Sequence, residues 1–356
     1  MPEKPLSGND ALIAQITSSG PISMMDFMAR ANTAYYNRRD PLGLAGDFIT
    51  APEISQMFGE FVGLCLADLW MRAGSPRDCN YVELGPGRGT LAFDALRSMA
   101  RFGMFATPHF VEMSEALREK QRHLVEGPRF YDRIADLPRR GPLFIIANEF
   151  FDALPIRQIL KTEDGWRERL VGICEDGLLG PIHGTSDMEA AIPVSLRNAS
   201  AGTIVETCPQ AAATIFELAG RLEAQGGVAI IIDYGYDEPG VGDTLQAVRG
   251  HQRADIFEDP GEQDLSAHVN FPELVAIAQV REARVHGPVR QGTWLKALGI
   301  DVRCNQLIAA NPEREEELLA AHDRLTSPYQ MGSLFKVMAM TSSSWPDPEG
   351  FAAARP

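Results

Sequence analysis

The ten residues Tyr81-Val-Glu-Leu-Gly-Pro-Gly-Arg-Gly-Thr90 restrict the fold more than any other stretch of the chain. A strand-forming run carries an acid, Glu83, at its end. Glycines follow at alternate positions, Gly85, Gly87 and Gly89, and then Leu91-Ala-Phe-Asp-Ala-Leu96, which favours a helix. A strand, a tight glycine turn and a helix build the cradle in which open parallel sheets hold nucleotide-like ligands. A Cβ at Gly85 or Gly87 would hold such a ligand off the backbone, and tight turns there favour positive φ. Pro86 fixes one φ between them and stiffens the loop.

The spacing separates two ligand classes. Dinucleotide sites use Gly-x-Gly-x-x-Gly, which would put the third glycine at position 90, where Thr90 stands. Gly-x-Gly-x-Gly after an acidic strand end is instead the pattern of S-adenosylmethionine methyltransferases. That cofactor has no phosphate, so the helix N-terminus has less anion to bind. Glu83 is placed to face its ammonium and sulfonium groups. A second strand, His109-Phe-Val-Glu-Met113, ends at Glu112, an acid that can accept both ribose hydroxyls, with Met113 beside it. Such an acid identifies a ribose and not one cofactor. A solvated acid ahead of Ser114 as a helix cap would read the same way.

Strands alternate with helices along most of the chain, which predicts an α/β fold with a mostly parallel sheet. Leu143-Phe-Ile-Ile-Ala147 is a continuous apolar run, as expected of a strand buried on both faces, and Gly227-Val-Ala-Ile-Ile-Ile-Asp233 is a second. Leu334–Met340 reads as the last strand. One domain over 1–340 is expected. It comprises an N-terminal helical extension (1–71), a cofactor-binding half (80–155), an inserted antiparallel meander (156–205) and the remainder of the sheet (206–340). Two helices split by Gly20-Pro21 open the extension, with Ser23 and Asp26 as a capping pair. Ile54–Met71 reads as one buried helix, and Thr203–Glu206 as a return to the core sheet. Residues 237–267 read as an irregular lid, and 341–356 as a disordered tail.

Asn148-Glu-Phe-Phe-Asp-Ala-Leu-Pro155 follows the apolar fourth strand, where this architecture brings the methyl group. Glu149 and Asp152 can orient a guanidinium and neutralise its charge, and the two phenylalanines can exclude water. Asn148, Glu149, Asp152 and Asp233 are the candidate catalytic residues, and Asn148 also lines the cofactor site. Asp152 as a turn cap with Phe150 and Phe151 in the core is the plainer alternative. Asp47, Thr50, Glu53, Tyr234, Tyr236 and His268 are candidates for the substrate side or a lid, although Thr50 also suits a helix cap and His268 a structural role.

Composition narrows the partners. With 356 residues, 45% of them hydrophobic, the chain can bury a large core. Its net charge of −15 and lack of a basic stripe argue against nucleic acid and suit a basic protein segment. The five cysteines (Cys65, Cys79, Cys174, Cys208 and Cys304) form no C-x-x-C pair, so neither a metal site nor a disulfide framework is expected. No apolar run approaches the ~18 residues of a membrane span, and the N-terminus lacks signal character. A cytoplasmic location is expected, or the mitochondrial matrix for a processed chain.

Four ordered blocks carry a resemblance: Gly46–Glu60, Val82–Thr90, Asn148–Pro155 and Asp264–Phe271. Together they resemble the hallmark blocks of the MidA-like methyltransferases, from about Gly20 to Met340. The resemblance implies a class I, seven-stranded, Rossmann-like methyltransferase fold with S-adenosylmethionine as cofactor. Gly85, Gly87, Gly89 and Glu112 match its cofactor positions. Mitochondrial members assist assembly of respiratory complex I by symmetric dimethylation of an arginine in a peripheral-arm subunit, which implies the same role here, in a bacterium. An assembly scaffold that binds the cofactor but methylates little, a small-molecule methyltransferase and a dinucleotide-dependent oxidoreductase are the alternatives. A homodimer is left open.

Overall fold

The apolar runs read from the sequence form the middle of one sheet. A computed structural model of the protein describes residues 8–38, 50–238, 240–249 and 252–351. Seven strands run through the sheet: β1 (Asn80–Leu84), β2 (Thr107–Val111), β3 (Arg129–Tyr131), β4 (Leu143–Asn148), β5 (Gly227–Tyr236), β6 (Arg284–Arg290) and β7 (Phe335–Thr341). Their order is β6-β7-β5-β4-β1-β2-β3, and only β7 is antiparallel to its neighbours. Val269–Asn270 adds a two-residue eighth strand beside the end of β5. Every residue of β1 and β4 is buried, because both strands are paired on both sides and covered on both faces. The strand order reverses between β1 and β4, so the crevice beyond their carboxyl ends is where such a sheet binds ligands.

Three helices frame that crevice: α1 (Gln56–Arg72), α2 (Thr90–Ala100) and α3 (Glu115–Leu124). The helix expected over Ile54–Met71 is divided. Ser55 is extended (φ −161°), and its hydroxyl accepts the N–H of Met57, which starts α1 anew after a short helix, Ala51–Ile54. Gly59 and Gly63 let α1 lie on α2; a Cβ at Gly63 would come within 2.4 Å of the Ala95 carbonyl oxygen.

The expected single domain is two compact units by internal contacts. The parallel sheet belongs to Leu42–Asp152, Ala212–Glu238 and Val269–Pro356. The other unit comprises Met1–Pro41, Ala153–Ala211 and Pro239–His268. It contains the antiparallel meander expected between 156 and 205, with strands Arg157–Thr162, Gly165–Ile173 and Leu179–Asp187. It also claims three segments that the sequence assigned elsewhere. Helices Gly8–Ser19 and Met24–Arg38 pack here, through Leu12, Ile16, Met24, Phe27 and Met28. The strand near Thr203 is Ile204–Thr207; it pairs with Arg157–Thr162 and does not resume the core sheet. The expected irregular lid contains a three-stranded sheet of Gln246–Arg249, Gln252–Ala254 and Asp264–Ser266. Asn32 fixes it: its amide donates to the Ala153 and Leu265 carbonyls and its oxygen accepts the Leu265 N–H. The capping pair is formed as expected, with the Asp26 N–H on Ser23 Oγ at 3.0 Å.

The expected disorder after Thr341 is also corrected for residues 342–351. Trp345 packs edge-on against Phe144 at 5.5 Å, and Phe351, buried, packs against Trp294. The Ser, Pro and Ala content of the segment hides these two aromatic anchors.

Candidate cofactor cradle and acidic rim

The glycine turn leaves β1 through left-handed backbone at all three glycines, with φ of 61° at Gly85, 55° at Gly87 and 88° at Gly89. L-residues with a Cβ rarely adopt this region. Space is limiting as well: a Cβ on Gly85 would sit 3.1 Å from the Phe150 ring. The Gly85 N–H donates to the Val111 carbonyl and the Gly89 N–H to the Pro86 carbonyl, so the loop is pinned between β1 and β2. Thr90, first in α2, donates its hydroxyl to Glu53 at 2.5 Å, and Arg88 lies 3.8 Å from the same carboxylate.

Behind the turn, Glu83 is buried and accepts the Tyr81 hydroxyl at 2.7 Å. Loss of water pushes its carboxyl up to about 8, while the Tyr81 hydrogen bond pulls the other way. Past β2, one Glu112 carboxylate oxygen accepts the Ser114 N–H at 2.7 Å. Burial raises this carboxyl too, offset by the Ser114 N–H and the Gln121 amide. Met113 is exposed.

The rim after β4 is strained where the glycine turn is not. Glu149 sits at φ 51° although it carries a full side chain. Its carboxylate accepts the Ala51 N–H and the Asn148 amide, each at 3.1 Å. Burial, then the charge of Asp152, push it up to about 7. Asn148 Oδ1 is buried and has no hydrogen-bond partner among the described residues. Phe150 and Phe151 meet edge to face at 5.4 Å, with Phe151 in the core and Phe150 against Gly85.

Asp233, expected among the catalytic residues, is taken up by the rim turn itself. It is fully buried, one oxygen accepts the N–H groups of Phe150, Phe151 and Asp152, and the other accepts that of Tyr234. Four N–H donors reach the carboxylate, and the three on one oxygen make it the anchor of the rim turn. Burial and the nearby Asp152 and Glu149 charges raise its carboxyl, while the N–H donors oppose them. The rim turn therefore brings together Asn148, Glu149 and Asp152, with Asp233 beneath.

The remaining candidates scatter. Thr50 precedes the short helix without a side-chain cap, and its carbonyl accepts the Glu53 N–H. Glu53 joins the glycine turn through Thr90. Tyr234 packs edge-on against Phe335 at 5.6 Å; Tyr236 pairs with Asn270 at the end of β5. His268 belongs to the antiparallel unit, where its N–H donates to Thr244 Oγ1. Asp47 lies outside the described residues. The sequence reading missed Gln121, which is fully buried and donates to the Gly87 carbonyl at 2.6 Å.

Residues 61–289 match the sequence model of a family of S-adenosyl-L-methionine-dependent methyltransferases. The chain belongs to that family. Among its relatives is the protein arginine methyltransferase NDUFAF7, mitochondrial, of Xenopus laevis, 35% identical over 96% of this chain and 87% of that protein. The rat protein of the same name is 37% identical over 92% of this chain and 83% of its own. A Burkholderia thailandensis protein solved bound to S-adenosyl-homocysteine superposes with a TM-score of 0.85 at 27% identity, covering 97% of this chain and 94% of that one.

The methyltransferase has S-adenosylmethionine as its cofactor, as the family description states. Its residues fit that group. The glycine turn presents bare left-handed backbone, Glu112 supplies an acid past β2, and among the described residues Asn148 Oδ1 is a buried acceptor without a partner. Among the described residues no cluster could hold a metal ion, and no helix is long and apolar enough to cross a membrane.

Proposed function

We propose that this methyltransferase acts on a protein arginine, by symmetric dimethylation of a complex I peripheral-arm subunit, and thereby aids assembly of that complex. The observation that carries the arginine assignment is the rim turn: a carboxyl held in strained backbone, pushed up to about 7 beside a second acid. A guanidinium entering there restores to Glu149 the counter-charge that burial withholds. The names of the relatives support the same reading.

S-Adenosylmethionine supplies an electrophilic methyl on a cationic sulfur. The chain's own residues do the rest. Glycines 85, 87 and 89, with Glu83, Glu112 and Asn148, hold the nucleoside and amino-acid ends; Thr90 and Pro86 shape the turn, and Met113 covers the base. Glu149 and Asp152 orient the guanidinium and neutralise its charge. Phe150 and Phe151 keep water out. One N–H proton leaves the attacking nitrogen for each methyl it gains, and Glu149 receives it, as a group titrating near neutrality can. Tyr234 and Tyr236 belong to the substrate side in this reading. The location is the compartment where complex I is built: bacterial cytoplasm or, as the relatives are named, mitochondria. The partner is a protein rather than nucleic acid, and a homodimer is compatible with the proposal.

Mass spectrometry of complex I peripheral-arm subunits from cells with and without the gene tests this. Loss of one dimethylarginine is expected. An unchanged set of methylated arginines overturns the assignment.

A further inference from the structure

Gln121 occupies the core-facing side of α3, four residues after the buried Leu117. It is fully buried, yet its Oε1 has no hydrogen-bond partner among the described residues. A residue kept for packing alone would be apolar there, since an unmet buried oxygen is unfavourable. Its amide nitrogen is what the site uses. It donates to the Gly87 carbonyl at 2.6 Å, and it lies near enough to the Glu112 carboxyl to oppose the upward push of burial on that group. The side chain further backs the turn at Gly89, where a Cβ would touch Gln121 Cγ at 3.4 Å. One amide thus ties together the two halves of the cradle, the turn after β1 and the acid after β2.

We propose that Gln121 is a positioning residue for the cofactor's ribose: a strut that holds the Glu112 carboxylate at a fixed spacing from the glycine turn. The inference rests on the reading of Glu112 as the ribose acid. The strut touches no reacting atom, so its removal weakens cofactor binding and erases discrimination at the ribose hydroxyls.

Calorimetry on the full chain with S-adenosylhomocysteine and its 2′-deoxy analogue tests it. The unaltered protein is expected to prefer the hydroxylated ligand by about tenfold, the worth of one hydrogen bond to a charged group. Gln121→Leu should bind S-adenosylhomocysteine about tenfold more weakly, and its preference should fall to about twofold or less. Should the leucine variant fail to fold, Gln121→Met, which keeps the length without the amide, replaces it. A folded variant that keeps the full preference overturns the proposal, whether or not both affinities drop together, because lost packing weakens both ligands equally. Glu112→Gln separates the two readings: a preference retained in that variant overturns the ribose assignment itself.

Discussion

Two turns leave two neighbouring central strands, and they meet the same geometric demand in opposite ways. After β1 the left-handed positions are glycines. After β4 the left-handed position is Glu149, for which that backbone costs about 1–2 kcal/mol. The first turn removes side chains so that a ligand can lie against peptide groups. The second accepts strain to aim a carboxylate, and it holds because Asp233 gathers the next three N–H groups from below. Bare backbone and an over-anchored side chain are two ways to build a rim, one permissive and one rigid.

The comparison breaks first at Gly87. Gly87→Val puts a β-branched residue at φ 55° and should weaken S-adenosylhomocysteine binding by at least about a hundredfold in calorimetry. Full complex I assembly in cells carrying that variant would favour the scaffold alternative. Next comes the anchor. Asp233→Asn leaves N–H donors facing an amide and should lower unfolding stability by about 3 kcal/mol in urea titrations; a loss under ~1 kcal/mol would mean the rim stands without it.

Stability should also depend on pH. The folded chain holds the Glu83 proton up to about 8, whereas an unfolded carboxyl releases it near 4.5. The folded state therefore binds more protons between those values, and stability falls as pH rises through that window, by about 1.4 kcal/mol per pH unit at the steepest. Above about 8 Glu83 adds no further slope. Glu83→Gln should lower the slope by up to that amount, with Glu149 and Asp233 still contributing, which urea midpoints at several pH values would measure; a slope unchanged in the variant would show that Glu83 does not titrate there.

The two turns should also differ in their tolerance of alanine. At position 149, glycine should be about 1 kcal/mol more stable than alanine, because only the glycine relaxes at φ 51°. At position 85, replacing the native glycine by alanine should lose at least as much, with the Phe150 ring displaced. Thermal denaturation of the Glu149→Gly, Glu149→Ala and Gly85→Ala proteins checks both; equal stability of the two variants at 149 would show that the turn carries no strain.

Much of the sheet was legible because apolar runs and period suffice for buried strands, as in β1, β4 and β5. β6 was not: Arg284-Val-His-Gly-Pro-Val-Arg290 carries charge, glycine and proline, which an edge strand with a bulge between His286 and Val289 tolerates. Helix Ile300–Ala310 was also missed, since Gly299 at φ 99° ends one helix and starts the next without a gap. Gln121 left a faint signal, a polar residue on the stripe between Leu117 and Leu124.

The cofactor class was legible before folding, because glycine spacing acts through local backbone sterics that a few adjacent residues settle. So were the two acids that follow β4. Folding alone settles which carboxylates are consumed as supports. Asp233 is occupied by N–H groups that lie 81 to 83 residues earlier in the chain, and Glu149 is held by Ala51, 98 residues before it. A carboxylate's role depends on which donors folding brings to it, and no local pattern encodes those partners.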